Sequence, residues 1–500
     1  LLDALYCLNC QVFMKYIIRL QAEITVKSRS VRARHGKLLT ANLRNQLKAI
    51  DADITVRWLW DRIETQLPAQ LSAQQHQAVV ERLSSTPGVL HFERVQQHEL
   101  TDFATLLEWV LQFKAQQLEN QTFAVVVKRK GHHSFSSQDM ARYIGGGILE
   151  RVPGTRVQLK GAAQEVVIMV ADDTVFLVEK RFAGLGGFPL PSQETVLSLM
   201  SGGFDSTVSS YQMIKRGART HYCFFNLGGD AHEAGVREIS YYIWQKFSPT
   251  HPVKFISIDF APLVDKILAH VDNSLMGVVL KRTMLRAACL ATRYVNAQAL
   301  VTGEAMGQVS SQTLSNLAVI DEVTNRLVLR PLIAMDKQDI VDIARHIGTE
   351  PLAAAMPEYC GVISNKPTVK AKLGAVQAAE TVITDELIEA QVYNAQVIDI
   401  RQLHDASMAK VDLTQGANDN APQVILDIRR SEEQEQAPLQ QQPYPVESLP
   451  FFKLEKHFKG LPSDTHYLLY CDQGVMSRMQ ALHLREQGFS NVSVYTQASA

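Results

Sequence analysis

The run from Glu194 to Met213, Glu-Thr-Val-Leu-Ser-Leu-Met-Ser-Gly-Gly-Phe-Asp-Ser-Thr-Val-Ser-Ser-Tyr-Gln-Met, constrains this chain more than any other stretch. Val196–Met200 is an apolar run that predicts a buried strand, Ser201–Ser206 is a glycine turn, and the pattern from Thr207 onward predicts a helix. Strand, turn and helix in that order make a phosphate cradle. Gly202 and Gly203 let the backbone approach a ligand with no Cβ in the way, while the free N–H groups and positive end of the helix face the same space. Ser201 and Ser206 add hydroxyls, and Asp205 adds a carboxylate that can orient a donor or hold Mg²⁺ against phosphate oxygens.

A Walker A loop needs Gly-x-x-x-x-Gly-Lys-Ser/Thr, and no lysine occurs between Ser201 and Ser210, which disfavours ordinary P-loop chemistry. Ser201-Gly-Gly-Phe-Asp-Ser206 instead resembles the PP-loop, the signature of enzymes that split ATP between its α and β phosphates and leave AMP on an acceptor. That resemblance implies ATP and Mg²⁺ as cofactors. The alternative is a glycine turn that binds nothing.

Five hundred residues, 46% of them hydrophobic, allow about three or four domains. The net charge of −1 means that any nucleic-acid site has to be a local patch. No apolar run reaches the roughly 18 residues that cross a bilayer, so no membrane is expected. Six scattered cysteines do not make a secreted disulfide framework, and a reducing cytoplasm is the expected compartment. Cys7 and Cys10 have no second pair to complete a zinc site, no metal ligands are assigned, and Met14 reads as the natural start.

Multidomain organisation follows from the order of patterns. Residues 14–76 read as a ferredoxin-like α+β domain: a strand after Met14, a helix over Ser28–Ile50, and strands at Thr55–Leu59 and Arg62–Leu67. The helix carries Arg29, Arg32, Arg34, Lys37, Arg44 and Lys48, either a phosphate surface or a solvated face. Residues 77–181 read as a second α+β domain, in which an apolar strand over Thr122–Lys128 delivers Lys128, Arg129 and Lys130 to a loop with His132, His133 and Phe135. Cations neutralise phosphates and a ring can stack on an unpaired base, so RNA is the preferred partner. Lys128-Arg-Lys-Gly-x-His-x-Phe-Ser-Ser-x-Asp139, followed by Arg142-Tyr-Ile-Gly-Gly-Gly147, resembles the THUMP domain of tRNA-modifying enzymes. That implies tRNA. Gly145–Gly147 otherwise reads as a helix C-terminus.

Over residues 182–400, strands and helices alternate as in a parallel α/β sheet, whose ligands lie beyond the carboxyl ends of the strands, at Ser201, Asn226, Gly303 and Pro331. Residues 365–418 read as helical and polar, with 401–418 as a linker. A small α/β domain follows over 419–498, with strands at Val424–Arg429, His466–Tyr470 and Val492–Tyr495, and a loop over Glu432–Pro445. Cys471 ends the second strand directly before a turn and a helix, where backbone N–H groups, the helix's positive end and Arg478 favour a thiolate nucleophile. Val424-Ile-Leu-Asp-Ile-Arg429 followed by Tyr470-Cys-x-x-Gly-x-x-Ser477 is similar to rhodanese domains, whose cysteine carries sulfane sulfur as a persulfide. Cys360 is the second candidate thiol, while Cys223 and Cys289 sit in apolar segments and read as core.

Ferredoxin-like, THUMP, PP-loop and rhodanese segments in this order, with Cys360 in Pro-Glu-Tyr-Cys-Gly-Val-Ile-Ser, resemble the bacterial tRNA 4-thiouridine synthetase (tRNA sulfurtransferase) family, which also serves thiamine thiazole synthesis. The resemblance implies that Leu199 and Met200 with the loop, Lys281, Gly303 and Gln312 hold ATP, and that Asp205 and Lys337 support adenylation of a tRNA uridine. It further implies a persulfide on Cys471, loaded by a cysteine desulfurase, and a disulfide between Cys360 and Cys471 once sulfur has left. Partners implied are tRNA, the desulfurase and a thiamine-pathway sulfur carrier protein, and a homodimer is compatible. Three rivals stand beside this. An amide or guanidine ligase of the PP-loop group needs no thiol at Cys471, a non-catalytic tRNA-binding adaptor merely relays sulfur, and a stand-alone sulfurtransferase explains only the last domain.

Overall fold

The computed structural model describes residues 14–227, 229–356, 366–403, 422–429, 431–439, 442–471 and 475–495. The chain divides into two compact units, Leu1–Ser192 with Lys215–Gly217, and Gln193–Ile214 with Ala218–Ala500.

The first unit is built on one eight-stranded sheet. Its strands are β1 (Lys15–Leu20), β2 (Thr55–Leu59), β3 (Arg62–Gln66), β4 (Val89–Glu99), β5 (Thr122–Lys130), β6 (Arg156–Val157), β7 (Gln164–Ala171) and β8 (Thr174–Ala183), in the order β2-β3-β1-β4-β8-β7-β5-β6. β4 pairs antiparallel with β1 on one side and with β8 on the other, so the sheet is continuous across positions 76 and 77. Alternation along each strand sends Tyr16, Ile18 and Leu20 to one core, under the helices Arg29–Lys48 and Ala73–Ser85. Phe123, Ile168 and Leu177 pack under Phe103–Leu118 and Ser137–Arg151. On the opposite face Ile17, Val95, Met169, Phe176 and Val178 form a smaller apolar floor.

One alternative falls and one expectation is corrected here. Gly145–Gly147 lies inside the helix Ser137–Arg151, where a Cβ on Gly147 would come within 2.2 Å of Leu107, so glycine permits close helix–helix contact rather than a stop. β5 also continues through Lys130, so the three cations are borne by a strand and alternate in facing, not grouped on a loop.

The second unit holds a six-stranded sheet of β9 (Gln193–Leu199), β10 (Ala218–Asn226), β11 (Lys254–Asp259), β12 (Ala299–Val301), β13 (Leu327–Leu329) and β14 (Gln396–Asp399), in the order β13-β12-β9-β10-β11-β14. β9 to β13 run parallel, and β14 joins β11 antiparallel, correcting the all-helical reading of that segment. Because β10 and β12 flank β9 on opposite sides, the chain reverses direction across the sheet at β9, and a crevice opens beyond its carboxyl end. A four-stranded parallel sheet of β15 (Gln423–Asp427), β16 (Val446–Ser448), β17 (His466–Tyr470) and β18 (Val492–Val494) follows, in the order β16-β15-β17-β18. Between β15 and β16, where a loop was expected, Ser431–Gln436 forms a helix. Most of the expected linker lies outside the described residues. Among the described residues no helix is long and apolar enough to cross a membrane.

Candidate active site

β9 ends in the crevice, and the chain turns at once into the helix Phe204–Lys215, three residues earlier than the pattern predicts. Asp205 and Ser206 are therefore in the helix's first turn. Gly202 has φ +82°, and a Cβ there would meet Met356 Cε at 2.7 Å, so glycine is required. Gly203 is different: its Cβ position meets only Ser201 Oγ, at 3.8 Å, so the loop is open on that side. The Ser201 N–H donates to Ser206 Oγ at 3.2 Å, the two hydroxyl oxygens are 3.1 Å apart, and the Ser206 hydroxyl donates to the Gly203 carbonyl at 3.2 Å. The cradle is thus pre-formed.

Elements far apart in sequence converge on it. Lys337, first in the helix Lys337–Ile347, places Nζ 2.7 Å from Asp205 Oδ1, and Gln308 Nε2 donates to the other carboxylate oxygen at 2.9 Å. Gly303, beyond β12, presses on the helix start: a Cβ there would lie 2.5 Å from the carbonyl carbon of Asp205 and 2.6 Å from Ser206 N. Met200 is buried, donates its N–H to Cys223 O at 2.8 Å and turns its sulfur towards the Ser210 hydroxyl, while Leu199 packs against the core. Gln312 is buried in the turn Ser310–Gln312, and its carbonyl accepts the Gly307 N–H at 2.9 Å. Among the described residues its Oε1 has no hydrogen-bond partner.

Lys281 belongs to a buried ion network that sequence reasoning missed. Its Nζ lies 2.9 Å from Glu304 Oε1, and the other oxygen of Glu304 accepts from Arg330 Nε at 2.7 Å and from the Thr302 hydroxyl at 3.0 Å. Arg330 in turn forks onto Asp321. Burial pushes the Glu304 carboxyl up, but Lys281 and Arg330 outweigh it and hold the group below the ordinary carboxylate range. The only signal was Glu304 beside Gly303.

Because folding lowers this pKa, the stability Glu304 contributes is complete above its ordinary value of 4.5 and is lost as pH falls through the lowered one. Glu304→Gln leaves two cations without their shared buried counter-charge, so unfolding in urea at pH 7 is expected to show a loss of about 3–5 kcal/mol. The variant also flattens the acid limb of stability. A loss under about 1 kcal/mol, the range of exposed pairs, would show that water screens the network.

His232 was also missed. It is buried, and its Nε2 lies 3.1 Å from the Ser201 carbonyl, fixing the start of the loop; burial holds its pKa below the ordinary value.

Cys471 directly follows β17 of the four-stranded sheet. Its sulfur accepts the Ser477 N–H at 3.3 Å and lies 3.5 Å from the Ser477 hydroxyl, so the first turn of the helix Val475–Glu486 curls around it. Behind it the buried pair Asp427–Arg429 stacks its guanidinium 5.0 Å from the centre of the Tyr470 ring. Cys360 lies outside the described residues. Cys223 is fully buried, and Cys289 is half-buried with its sulfur 2.9 Å from Thr324 Oγ1.

In the first unit, Lys128 and Lys130 share a face with Met169 and Ala171, and with Arg129 they line a cavity of about 180 Å³ that also includes Arg19, Arg62 and Phe176. Arg129 lies 5.6 Å from the centre of the Phe135 ring and 3.3 Å from His133 Nδ1. Among the described residues no cluster of His, Cys, Asp and Glu could hold a metal ion on its own.

Three family profiles match the chain: a THUMP domain over residues 99–178, a thiamine biosynthesis protein (ThiI) over 191–384, and a rhodanese-like domain over 410–498. The tRNA sulfurtransferase of Shewanella halifaxensis is 49% identical over 483 residues, spanning 96% of this chain and 100% of that protein. That of Colwellia psychrerythraea is 50% identical over 485 residues, with the same coverage. A crystal structure of a 4-thiouridine synthetase–RNA complex with bound ATP aligns with a TM-score of 0.67 at 23% identity, covering 77% of this chain and 99% of that one, a likeness of fold.

Fold and profiles together define a multidomain α/β protein in which a THUMP domain, a PP-loop-type sheet and a rhodanese-like domain follow one another. Near-half identity across the whole length of its relatives then fixes the family. The chain belongs to the tRNA sulfurtransferases.

Proposed function

We propose that this protein moves the outer sulfur of a persulfide on Cys471 onto C4 of a tRNA uridine, at the expense of ATP, giving 4-thiouridine. The uridine loses its N3 proton, O4 attacks the α phosphate, and pyrophosphate leaves. The resulting adenylate replaces a poor oxide leaving group with AMP. The persulfide's terminal sulfur then adds at C4 and AMP departs. Cys360 attacks Cys471, the sulfur–sulfur bond breaks towards the base, and the electron pair that reduces the sulfur is balanced by a Cys360–Cys471 disulfide. A dithiol reductant must reopen it, which suits the reducing cytoplasm we infer for the chain.

One observation carries the reading beyond family likeness. Met356 packs on Gly202 of the phosphate loop, and the adjacent Ala355 packs against the core of the Cys471 sheet. Two neighbouring residues thus lie one against the phosphate loop and the other against the core of the Cys471 sheet, and Cys360 follows four residues later, a span of at most roughly 14 Å of chain. The open side of Gly203, the hydroxyls of Ser201 and Ser206, and the acceptor of Gln312 that has no partner among the described residues fit a nucleotide's phosphates and base amine. Lys281 and Lys337 suit phosphate contact. Mg²⁺ would arrive with ATP and meet Asp205, where it would neutralise phosphate charge.

Lys128, Arg129 and Lys130 are inferred to contact the tRNA backbone, with sulfur supplied by a cysteine desulfurase. The match to a thiamine biosynthesis family supports a second delivery of sulfur, to a carrier protein for thiazole synthesis. The purified chain, given unmodified tRNA, ATP, a desulfurase with cysteine and a dithiol, is expected to yield 4-thiouridine and AMP in equal amounts. Thiolation without ATP cleavage, or adenylate formation with no polynucleotide present, would overturn the proposal.

A further inference from the structure

The segment Lys366–Lys372, Lys-Pro-Thr-Val-Lys-Ala-Lys, carries three exposed lysines in seven residues. Among the described residues no carboxylate comes within ion-pair distance of Lys366, Lys370 or Lys372, although most other cations around the crevice are paired. Like charges so close should drive such a segment apart and leave it loose. It is instead pinned. Asn316, fully buried, donates from Nδ2 to the Thr368 carbonyl at 2.8 Å and to the Ser310 carbonyl at 2.7 Å, and its Oδ1 accepts the Ala371 N–H at 2.8 Å. The Thr313 hydroxyl donates to Val369 O at 2.7 Å, and the Thr368 N–H donates to Ser274 O at 3.0 Å.

These anchors tie the strip to the crevice. Ser310 opens the turn that ends in Gln312, Gln312 accepts from Gly307, and the next residue, Gln308, donates to Asp205. With these hydrogen bonds made, the buried Asn316 amide holds the strip's backbone in place without an unsatisfied group, while the lysine side chains stay in solvent, open to a partner. Lysine is a mobile point charge, suited to phosphate oxygens and poor at reading base edges. The exposed apolar side chains of Val369 and Leu314 border the strip without contributing a counter-charge.

We infer that Lys366, Lys370 and Lys372 form a phosphate-backbone contact for the RNA substrate on the nucleotide-activating unit itself, beside the rim where the target base must enter. This rests on the function proposed above and adds to it a binding strip distinct from the cations of β5.

The triple variant Lys366→Ala, Lys370→Ala, Lys372→Ala tests it, with the matching triple arginine variant as a charge-preserving control. In full-length protein, the slope of log affinity for tRNA against log salt is expected to shrink by about 2–3, at roughly 0.7–0.9 per phosphate contact. KM for tRNA rises tenfold or more, KM for ATP stays put, and the arginine variant recovers both tRNA readouts. An unchanged slope and KM in the alanine variant, while the wild type thiolates tRNA normally, would sink the strip and leave the function standing. A wild type that never thiolates tRNA would sink the function instead. Should tRNA binding hold while persulfide loading of Cys471 by the desulfurase falls, the strip serves an acidic protein and the inference is wrong.

Discussion

Cys471→Ser is expected to abolish thiolation, by roughly a thousandfold or more as for other lost nucleophiles, while tRNA binding and tRNA-dependent pyrophosphate release persist. The geometry explains why the loss should be so selective. The sulfur accepts the Ser477 N–H at 3.3 Å and faces the Ser477 hydroxyl at 3.5 Å, contacts that a serine oxygen can also make, so the loop is expected to keep its shape. An oxygen at this position cannot carry sulfane sulfur, nor can it close a disulfide. Nucleoside analysis of the tRNA and intact-mass detection of the persulfide read the two losses directly. Thiolated tRNA from the variant would remove Cys471 from the reaction.

What could be read from the sequence was whatever is written locally. Ser201–Ser206 declares itself because strand, glycines and helix start are contiguous, and Cys471 because a thiol between a strand and a helix has few other uses. The helix start was misplaced by three residues because Phe204, Asp205 and Ser206 serve equally well in a turn and in a first helical turn, where Asp and Ser favour the N-terminus. β5 was cut short for a related reason: Lys128, Arg129 and Lys130 look like a loop until pairing with Met169, Val170 and Ala171 makes them strand. β14 is four residues long with only Val397 and Ile398 apolar, too short for a period to show, and it exists because β11 offers an edge. Contacts across large sequence separations left no trace beyond the place of Glu304 beside Gly303. Glu304 meets Lys281 and Arg330, Gln308 meets Asp205, and Asn316 meets Thr368 only after the sheet has brought their elements together. Asp205 and Lys281 stand in the motifs read above, but Gln308, Asn316 and Arg330 sit in no pattern that distinguishes them from solvated neighbours.

The counterpart of the Cys471 experiment lies at Asp205. Its carboxylate accepts from Lys337 at 2.7 Å and from Gln308 at 2.9 Å, in the first turn of the helix that faces the open side of Gly203. The Asp205–Lys337 pair is partly exposed, and such pairs add only about 0–1 kcal/mol, so its value to the fold is small. Asp205→Ala is therefore expected to leave the melting temperature nearly unchanged. Its effect should appear in the chemistry, since Lys337 and any ion arriving with ATP lose the group that positions them. Release of pyrophosphate in the presence of tRNA should fall by roughly a hundredfold to a thousandfold, the cost of removing one pre-positioned charge-stabilising group. Lys337→Ala should weaken the same step, and the double variant should be little worse than either single one, because the two side chains act as a unit. Loading of persulfide on Cys471 should be untouched in all three, the mirror image of the serine variant. Undiminished pyrophosphate release from Asp205→Ala would take this carboxylate out of the adenylating centre and leave its bond to Lys337 a surface contact.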